Sequence, residues 1–272
     1  MPARFGLGRP VSPPERVGGG LSNELWRVRV PSGVYAVKRM VVNAGRPGFV
    51  GDVEAAFEVE RRAFAAGVPM PEPVPELSSG RALAAVGDSL YRVHRWVAGR
   101  AGAGSAIGAV ALAAAIHAVG RPRWEPPSPP WRAGGGDAQV AGLACRVAEQ
   151  PDRLLIVDGH RDLDRKNTLL TGDGVLVALD WDAAGPVSAV QEAVAVALDW
   201  TDGSPAAFAD AVAAYPSALP AEPWIFAGWV ATQGGWLDYT AAHDPGQAGE
   251  TLGRLRRLAA GVDDLLAALP RS

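Results

Sequence analysis

Between residues 160 and 182 the chain reads His160-Arg161-Asp162-Leu163-Asp164-Arg165-Lys166-Asn167, then two short apolar runs, Thr168–Leu170 and Val175–Leu179, and then Asp180-Trp181-Asp182. Thr171-Gly172-Asp173-Gly174 separates the runs, which together predict an antiparallel β-hairpin. A hairpin returns its two outer ends to one place. Asn167 and Asp180 are therefore expected to meet, with Asp162 within one loop of both. Two carboxylates and a carboxamide oxygen suit a hard cation such as Mg²⁺. The plain alternative is a solvated loop rich in charge.

A chain of 272 residues is long enough for one large domain or two small lobes with a sizeable core. The net charge of −3 and the lack of a basic run predict no nucleic-acid partner. Cys145 stands alone, so no intramolecular disulfide can form, which fits a reducing cytoplasm. The first twenty residues carry Arg4, Arg9 and Arg16 among prolines and glycines and lack the apolar core of a signal peptide. The alanine-rich runs at 109–119 and 193–198 are too short to cross a bilayer, so no membrane association is expected.

In the amino-terminal third, Gly18-Gly19-Gly20-Leu21-Ser22-Asn23 leads into an alternating segment at 24–30, a strand entered from a glycine loop. Such a loop lets backbone N–H groups approach phosphates, although a plain turn fits equally well. No G-x-x-x-x-G-K-[ST] run is present, so a P-loop fold is not supported. Residues 34–42 predict a second strand, in which alternation leaves open whether Lys38 or Arg39 faces inward. Asp52 is expected to cap a helix running to about Ala66. On it Val53, Phe57, Phe64 and Glu60 share one arc at 100° per residue. A carboxylate on a buried stripe needs a cation. The plain reading places Glu60 at the helix edge, reaching solvent or pairing with Arg61 or Arg62. Segments 81–86 and 89–93 predict two further strands, and 94–100 a mixed segment ending at glycine.

Beyond residue 100 the pattern is mostly helical: 106–119, 137–150, 188–200, 205–215, 221–240 and 247–269. His117 is expected in the core. Residues 120–137, dense in proline and glycine with Trp124 and Trp131, form either a substrate-side flap or a surface connection. Trp200, Trp224, Trp229, Trp236 and Tyr239 are expected in helix contacts. Asp199, Asp202, Asp238 and Asp244 could attract a cationic acceptor, against a solvated face as the plainer reading.

The spacing H-x-D-x-x-x-x-N from His160 to Asn167, followed across the hairpin by Asp180, resembles the catalytic and metal loops of the protein-kinase-like superfamily. Val34–Lys38 looks like the V-A-I-K strand of kinases, which favours Lys38 over Arg39. No A-P-E element follows Asp180. Leu179-Asp180-Trp181-Asp182-Ala183-Ala184-Gly185-Pro186, Gly67-Val68-Pro69-Met70-Pro71 and Ile116-His117-Ala118 are similar instead to the aminoglycoside phosphotransferase family, over roughly residues 15 to 240. Arg161 departs from the glycine common there, and Arg165-Lys166 from the usual Pro-Gly.

The resemblance implies an α+β, protein-kinase-like bilobal fold: an antiparallel β-sheet N-lobe with one helix (1–97) and a mostly helical C-lobe (98–272). It further implies ATP and Mg²⁺ as cofactors. Asp162 would accept the acceptor's hydroxyl proton, and Asn167 and Asp180 would hold the metal. Lys38, fixed by Glu60, would neutralise phosphate charge. Ser22 and Asn23 would contribute loop contacts, and the backbone of Arg95, Trp96 and Val97 would meet the adenine edge. His160 would brace the loop. The implied activity is phosphoryl transfer to a hydroxyl of a small molecule, such as an aminoglycoside-like antibiotic. The alternatives are a metabolic kinase for an amino sugar or amino alcohol, a non-catalytic pseudokinase-type binding protein, and a protein kinase.

Overall fold

The computed structural model describes residues 1–18, 23–134 and 136–269. In chain order the elements are β1 (Glu15–Val17), β2 (Asn23–Val30), β3 (Gly33–Met40), α1 (Phe49–Ala65), β4 (Pro73–Val74), β5 (Ala84–Val86), β6 (Ser89–Arg95), β7 (Arg100–Ala101), α2 (Ala106–Val119), β8 (Arg123–Glu125), α3 (Ala138–Val147), β9 (Leu154–Gly159), β10 (Thr168–Leu170), β11 (Leu176–Ala178), β12 (Gly185–Ser188), α4 (Ala189–Thr201), α5 (Pro205–Val212), α6 (Ala227–His243) and α7 (Pro245–Ala268). They group into two compact units, one of Met1–Ala103 with Lys166–Gly185, the other of Gly104–Arg165 with Pro186–Ser272.

In the first unit, alternation along β2, β3 and β6 builds an antiparallel sheet in the order β1-β2-β3-β6-β4, with β5 also on β6. Val28, Val30, Tyr35, Val37 and Val93 pack with Phe5 and Leu7 in one apolar cluster. Met40 joins Val53 and Phe57 of α1 in a second. The β3–β6 register sets Ala36, Lys38 and Met40 directly opposite His94, Arg92 and Leu90. Directly opposed residues of an antiparallel pair share a face, so this face carries three basic side chains in a small area.

Helix α1 starts three residues before the expected Asp52. Gly48, at φ 83°, is its N-cap, and Asp52 in the first turn pairs with Arg46 instead. Glycine adopts that left-handed conformation without a Cβ penalty. Phe64 is 39% exposed, because Ala63 takes the buried position of the last turn. The hairpin forms with the pairs Thr168↔Ala178, Leu169↔Val177 and Leu170↔Leu176. Order along the chain assigns this hairpin to the helical part. Pairing of β10 with β7, Leu169 opposite Ala101, brings it into the sheet unit instead.

The second unit contains α2 to α7 and a three-stranded sheet in the order β12-β9-β8. Helix α2 spans the residues the sequence predicts; Ser105 caps it, its hydroxyl accepting from the Gly108 N–H at 3.1 Å. Trp200, Trp224 and Trp229 are buried as expected, whereas Trp236 and Tyr239 are 46% and 55% exposed and stack on one another on the outer side of α6. No helix among the described residues is long and apolar enough to cross a membrane.

The proline- and glycine-rich connection between α2 and α3 is pinned at its far end. Trp131 lies over Gly234 of α6, where a Cβ would collide with the indole, and its Nε1–H donates to Asp238 at 2.8 Å. Asp137 caps α3 and accepts from Arg256 Nε at 2.6 Å. A cavity of about 290 Å³ lies beneath, lined in part by Trp131, Val140, Leu237 and Leu252. Gly234→Ala is expected to dislodge Trp131, destabilise the protein by about 1–3 kcal/mol and raise quenching of tryptophan fluorescence by acrylamide. Unchanged melting temperature and quenching would show that the indole does not rest on α6.

Candidate active site

The hairpin brings the two expected metal ligands to its open end. The Leu179 N–H donates to the Asn167 carbonyl at 2.8 Å, one step beyond the Thr168–Ala178 pair, so Asn167 and Asp180 flank the last rung of the ladder. Asn167 is buried, while the Asp180 side chain is 41% exposed. Asp180 adopts φ 58°, a left-handed conformation that aspartate tolerates better than most residues. Trp181, 1% exposed, anchors the turn that follows, its indole N–H reaching the Ala178 carbonyl at 3.3 Å. Among the described residues, no three His, Cys, Asp or Glu side chains converge as a self-sufficient metal cage. One carboxylate and one carboxamide, with phosphate oxygens and water completing the shell, are the sparse oxygen set that Mg²⁺ takes with nucleotides. The residues present fit that ion.

Lys38 faces inward and Arg39 outward, which settles the choice that alternation leaves open. The Lys38 ammonium, 13% exposed, contacts Asp180 Oδ1 at 2.6 Å and Asp182 Oδ2 at 2.5 Å; Arg39 pairs with Glu24 at 3.0 Å. The expected Lys38–Glu60 pair is replaced. Glu60, fully buried, binds Arg92 and accepts a hydrogen bond from His94 Nε2 at 2.8 Å. Arg92 in turn reaches the second oxygen of Asp182. The reason lies in the β3–β6 register: Arg92 is the direct cross-strand neighbour of Lys38, and its longer planar fork can span two carboxylates at once. Burial pushes the Lys38 ammonium toward neutrality, but Asp182 and Asp180 outweigh it and hold its pKa above the usual value. Burial likewise opposes ionisation of Asp182 and Glu60. Lys38 and Arg92 hold the first below the usual carboxylate range, and Arg92 and His94 the second.

In the second unit, the loop carrying Asp162 hangs from α4. Arg161 lies at φ 67°, a strained conformation for a residue with a side chain, and its N–H donates to Glu192 Oε1. Glu192 Oε2 accepts from His117 Nε2 at 2.7 Å, and His117 Nδ1 meets the Tyr215 hydroxyl at 2.9 Å. A Cβ at Gly159 would collide with the same carboxylate, so glycine there lets Glu192 approach the loop. His160, 1% exposed, accepts the Asp162 N–H at Nδ1, 3.3 Å, and so braces the turn. The Leu163 carbonyl accepts from Trp200 Nε1 at 3.3 Å, and Arg165 covers the Trp200 ring. Glu192, Arg92 and Asp182 were not singled out from sequence. A buried acid on the inner stripe of α4, and cations facing each other on β3 and β6, are the signals that mark them.

Of the expected nucleotide contacts, Ser22 lies outside the described residues. Asn23 opens β2, and its Oδ1 accepts the Val41 N–H at 3.0 Å, closing the mouth of the β2–β3 pair. The N–H groups of Arg95 and Trp96 donate to the Glu72 and Val34 carbonyls, both at 2.9 Å, so these two amides already serve the sheet. Val97 follows them, half-buried. The four acids considered for acceptor binding have structural partners. Asp199 accepts from Trp229 and Arg254, Asp238 from Trp131, Asp244 caps α7, and Asp202 lies 3.6 Å from Arg165.

Burial pushes the Glu192 carboxyl up, but the His117 hydrogen bond and charge, the Arg161 amide and His160 hold it below its ordinary value of 4.5. A carboxyl so lowered adds stability above its unfolded pKa, and that contribution is lost as pH falls through the folded value. Glu192→Gln is expected to lose about 1–3 kcal/mol at neutral pH, measured by denaturant unfolding. The gap to wild type should shrink below about pH 4.3. A gap independent of pH would contradict an ionised Glu192.

The model of the phosphotransferase enzyme family (APH) matches residues 14–229. No curated protein sequence matches the chain. Among solved structures, the chain is similar to an aminoglycoside phosphotransferase from Alicyclobacillus acidocaldarius (15% identity, TM-score 0.62, covering 98% of this chain and 94% of that one). It is also similar to aminoglycoside phosphotransferase APH(4)-Ia (18%, 0.62, 92% and 94%) and to spectinomycin phosphotransferase APH(9)-Ia, solved with ADP and spectinomycin (11%, 0.60, 94% and 93%). At such identities these likenesses establish the fold, and the family match, which spans most of the chain, establishes the lineage. The protein belongs to the phosphotransferase enzyme family and has the fold of the aminoglycoside phosphotransferases.

Proposed function

We propose that the protein transfers the γ-phosphate of ATP, with Mg²⁺, to a hydroxyl of an amino- and hydroxyl-rich small molecule, an aminoglycoside-like compound. The observation that carries this reading is the hairpin end, where the Leu179–Asn167 backbone hydrogen bond sets Asn167 across from the residue before Asp180, while Lys38 sits against the exposed Asp180 carboxylate. The Mg²⁺ ion, when bound, would supply positive charge against the phosphates. Asn167 and Asp180 would hold it through oxygen. Lys38, whose present partners are both acids of the metal loop, would turn to the phosphates as Asp180 engages the metal. Asp162 would orient the acceptor hydroxyl and accept its proton. Asn23 would contribute a contact to the phosphates, and the 95–97 backbone would meet the base, chiefly at Val97. Most of the rate enhancement then comes from positioning and charge neutralisation.

Similar structures solved with spectinomycin and with hygromycin B support an aminoglycoside-like acceptor. A metabolic kinase for an amino sugar or amino alcohol is the second reading. It is favoured by the structural engagement of Asp199, Asp238 and Asp244, which leaves these acids less suited to gripping a polycation.

A coupled ADP-release screen over aminoglycosides, amino sugars and amino alcohols tests the reading. Asp162→Ala is expected to lower kcat on the best acceptor by at least about 10²- to 10⁴-fold, with melting temperature and nucleotide KM unchanged. Asp180→Ala should abolish metal-dependent turnover in a folded protein. Full turnover in either variant, or transfer to peptides and to no small molecule, would overturn it.

A further inference from the structure

We infer that Arg92 is a positioning residue for phosphoryl transfer, one that takes over the helix carboxylate and holds the metal loop so that Lys38 is left to the nucleotide. This rests on the reading of Lys38 and Asp180 given above and goes beyond it.

Three facts of the first unit combine. Arg92 and Lys38 are directly opposed across β3 and β6, and like charges in that relation repel. Two carboxylates relieve the repulsion, and they divide unequally. Glu60, with no solvent exposure, contacts Arg92 and His94. Asp182 is shared, one oxygen on Arg92 and the other on Lys38. Arg92 is therefore the only group among the described residues that touches both the α1 carboxylate and the metal loop. Its side chain is 1% exposed and lies 5.7 Å from the Phe57 ring, so helix α1 fixes it on a second side.

The consequence concerns Lys38. A lysine bonded to a fully buried glutamate would be held at the base of the sheet. Here both Lys38 partners lie on the short segment after β11, and Asp180 is the more exposed of the two. When Asp180 engages a metal, Lys38 keeps Asp182 as its anchor and gains a free direction toward phosphate. Asp182 can serve as that anchor only while Arg92 holds its other oxygen. Without Arg92, Asp182 is free to turn fully onto Lys38, and the metal loop loses its ionic link to the α1 carboxylate.

Outer partners of metal- and phosphate-binding groups commonly change affinity by about 10- to 100-fold when removed. Arg92→Met is expected to weaken binding of Mg·AMP-PNP, followed by titration calorimetry, by that factor, while KM for the acceptor stays unchanged. Because Arg92→Met also strands a buried carboxylate, Glu60→Gln/Arg92→Met is the second variant. It should recover melting temperature toward wild type and still bind nucleotide weakly. Arg92→Lys, which cannot span two carboxylates, should not restore affinity. Wild-type affinity in the folded double variant, or loss of affinity that tracks melting temperature across the three variants, would overturn the inference. A wild-type protein that binds no Mg·nucleotide would instead refute the proposed function itself.

Discussion

A chain of alternating charges runs through the first unit, Glu60, Arg92, Asp182, Lys38 and Asp180, with His94 hydrogen-bonded to Glu60 at its buried end. Two cations face each other on one sheet, and the fold must supply anions between them or leave charge uncompensated in a dry place. Removing one member of such a buried pair costs about 3–5 kcal/mol. The chain therefore couples four elements: strands β3 and β6, helix α1 and the segment after β11. It also grades exposure, from Glu60 at the buried end to Asp180 at the exposed end, where an incoming cation can compete for a carboxylate without opening the core.

The second unit solves a different problem with similar means. Asp162 must be presented from a loop, and loops are held by whatever satisfies their backbone. Here a single buried carboxylate, Glu192, accepts the Arg161 amide on one oxygen and His117 on the other. The loop passes through a left-handed turn at Arg161, as the metal loop does at Asp180. Left-handed backbone at Arg161 and Asp180, each held by its neighbours, persists because the surrounding structure over-determines it.

The sequence discloses local structure well and lateral partnership poorly. Alternation and the Thr-Gly-Asp-Gly turn locate the hairpin, and helix α2 has the bounds its alanine-rich periodicity predicts, because these signals depend on residues close in the chain. The inward direction of Glu60 is legible from its place on the arc with Val53 and Phe57. Its partner is not, because Lys38 and Arg92 are both credible cations until the register of β3 on β6 is known. Phe64 shares the apolar arc yet lies where the packing surface ends, a limit set by tertiary contact rather than periodicity. Trp236 and Tyr239 escape the core for the same kind of reason. The acids of the helical unit look available for a cationic acceptor in sequence and prove to be engaged by Trp131, Trp229, Arg165 and Arg254, or to cap α7, partners that only the folded chain brings near.

The central claim is that the ends of the hairpin hold the catalytic cation. A crystal structure with Mg²⁺ and a non-hydrolysable ATP analogue tests it most directly. The account predicts one octahedral cation bonded at about 2.1 Å to the Asn167 side-chain oxygen and to the Asp180 carboxylate, with Lys38 turned to the phosphates and Asp182 still on Arg92. A cation bound without both Asn167 and Asp180, or a nucleotide seated away from Lys38, would contradict it.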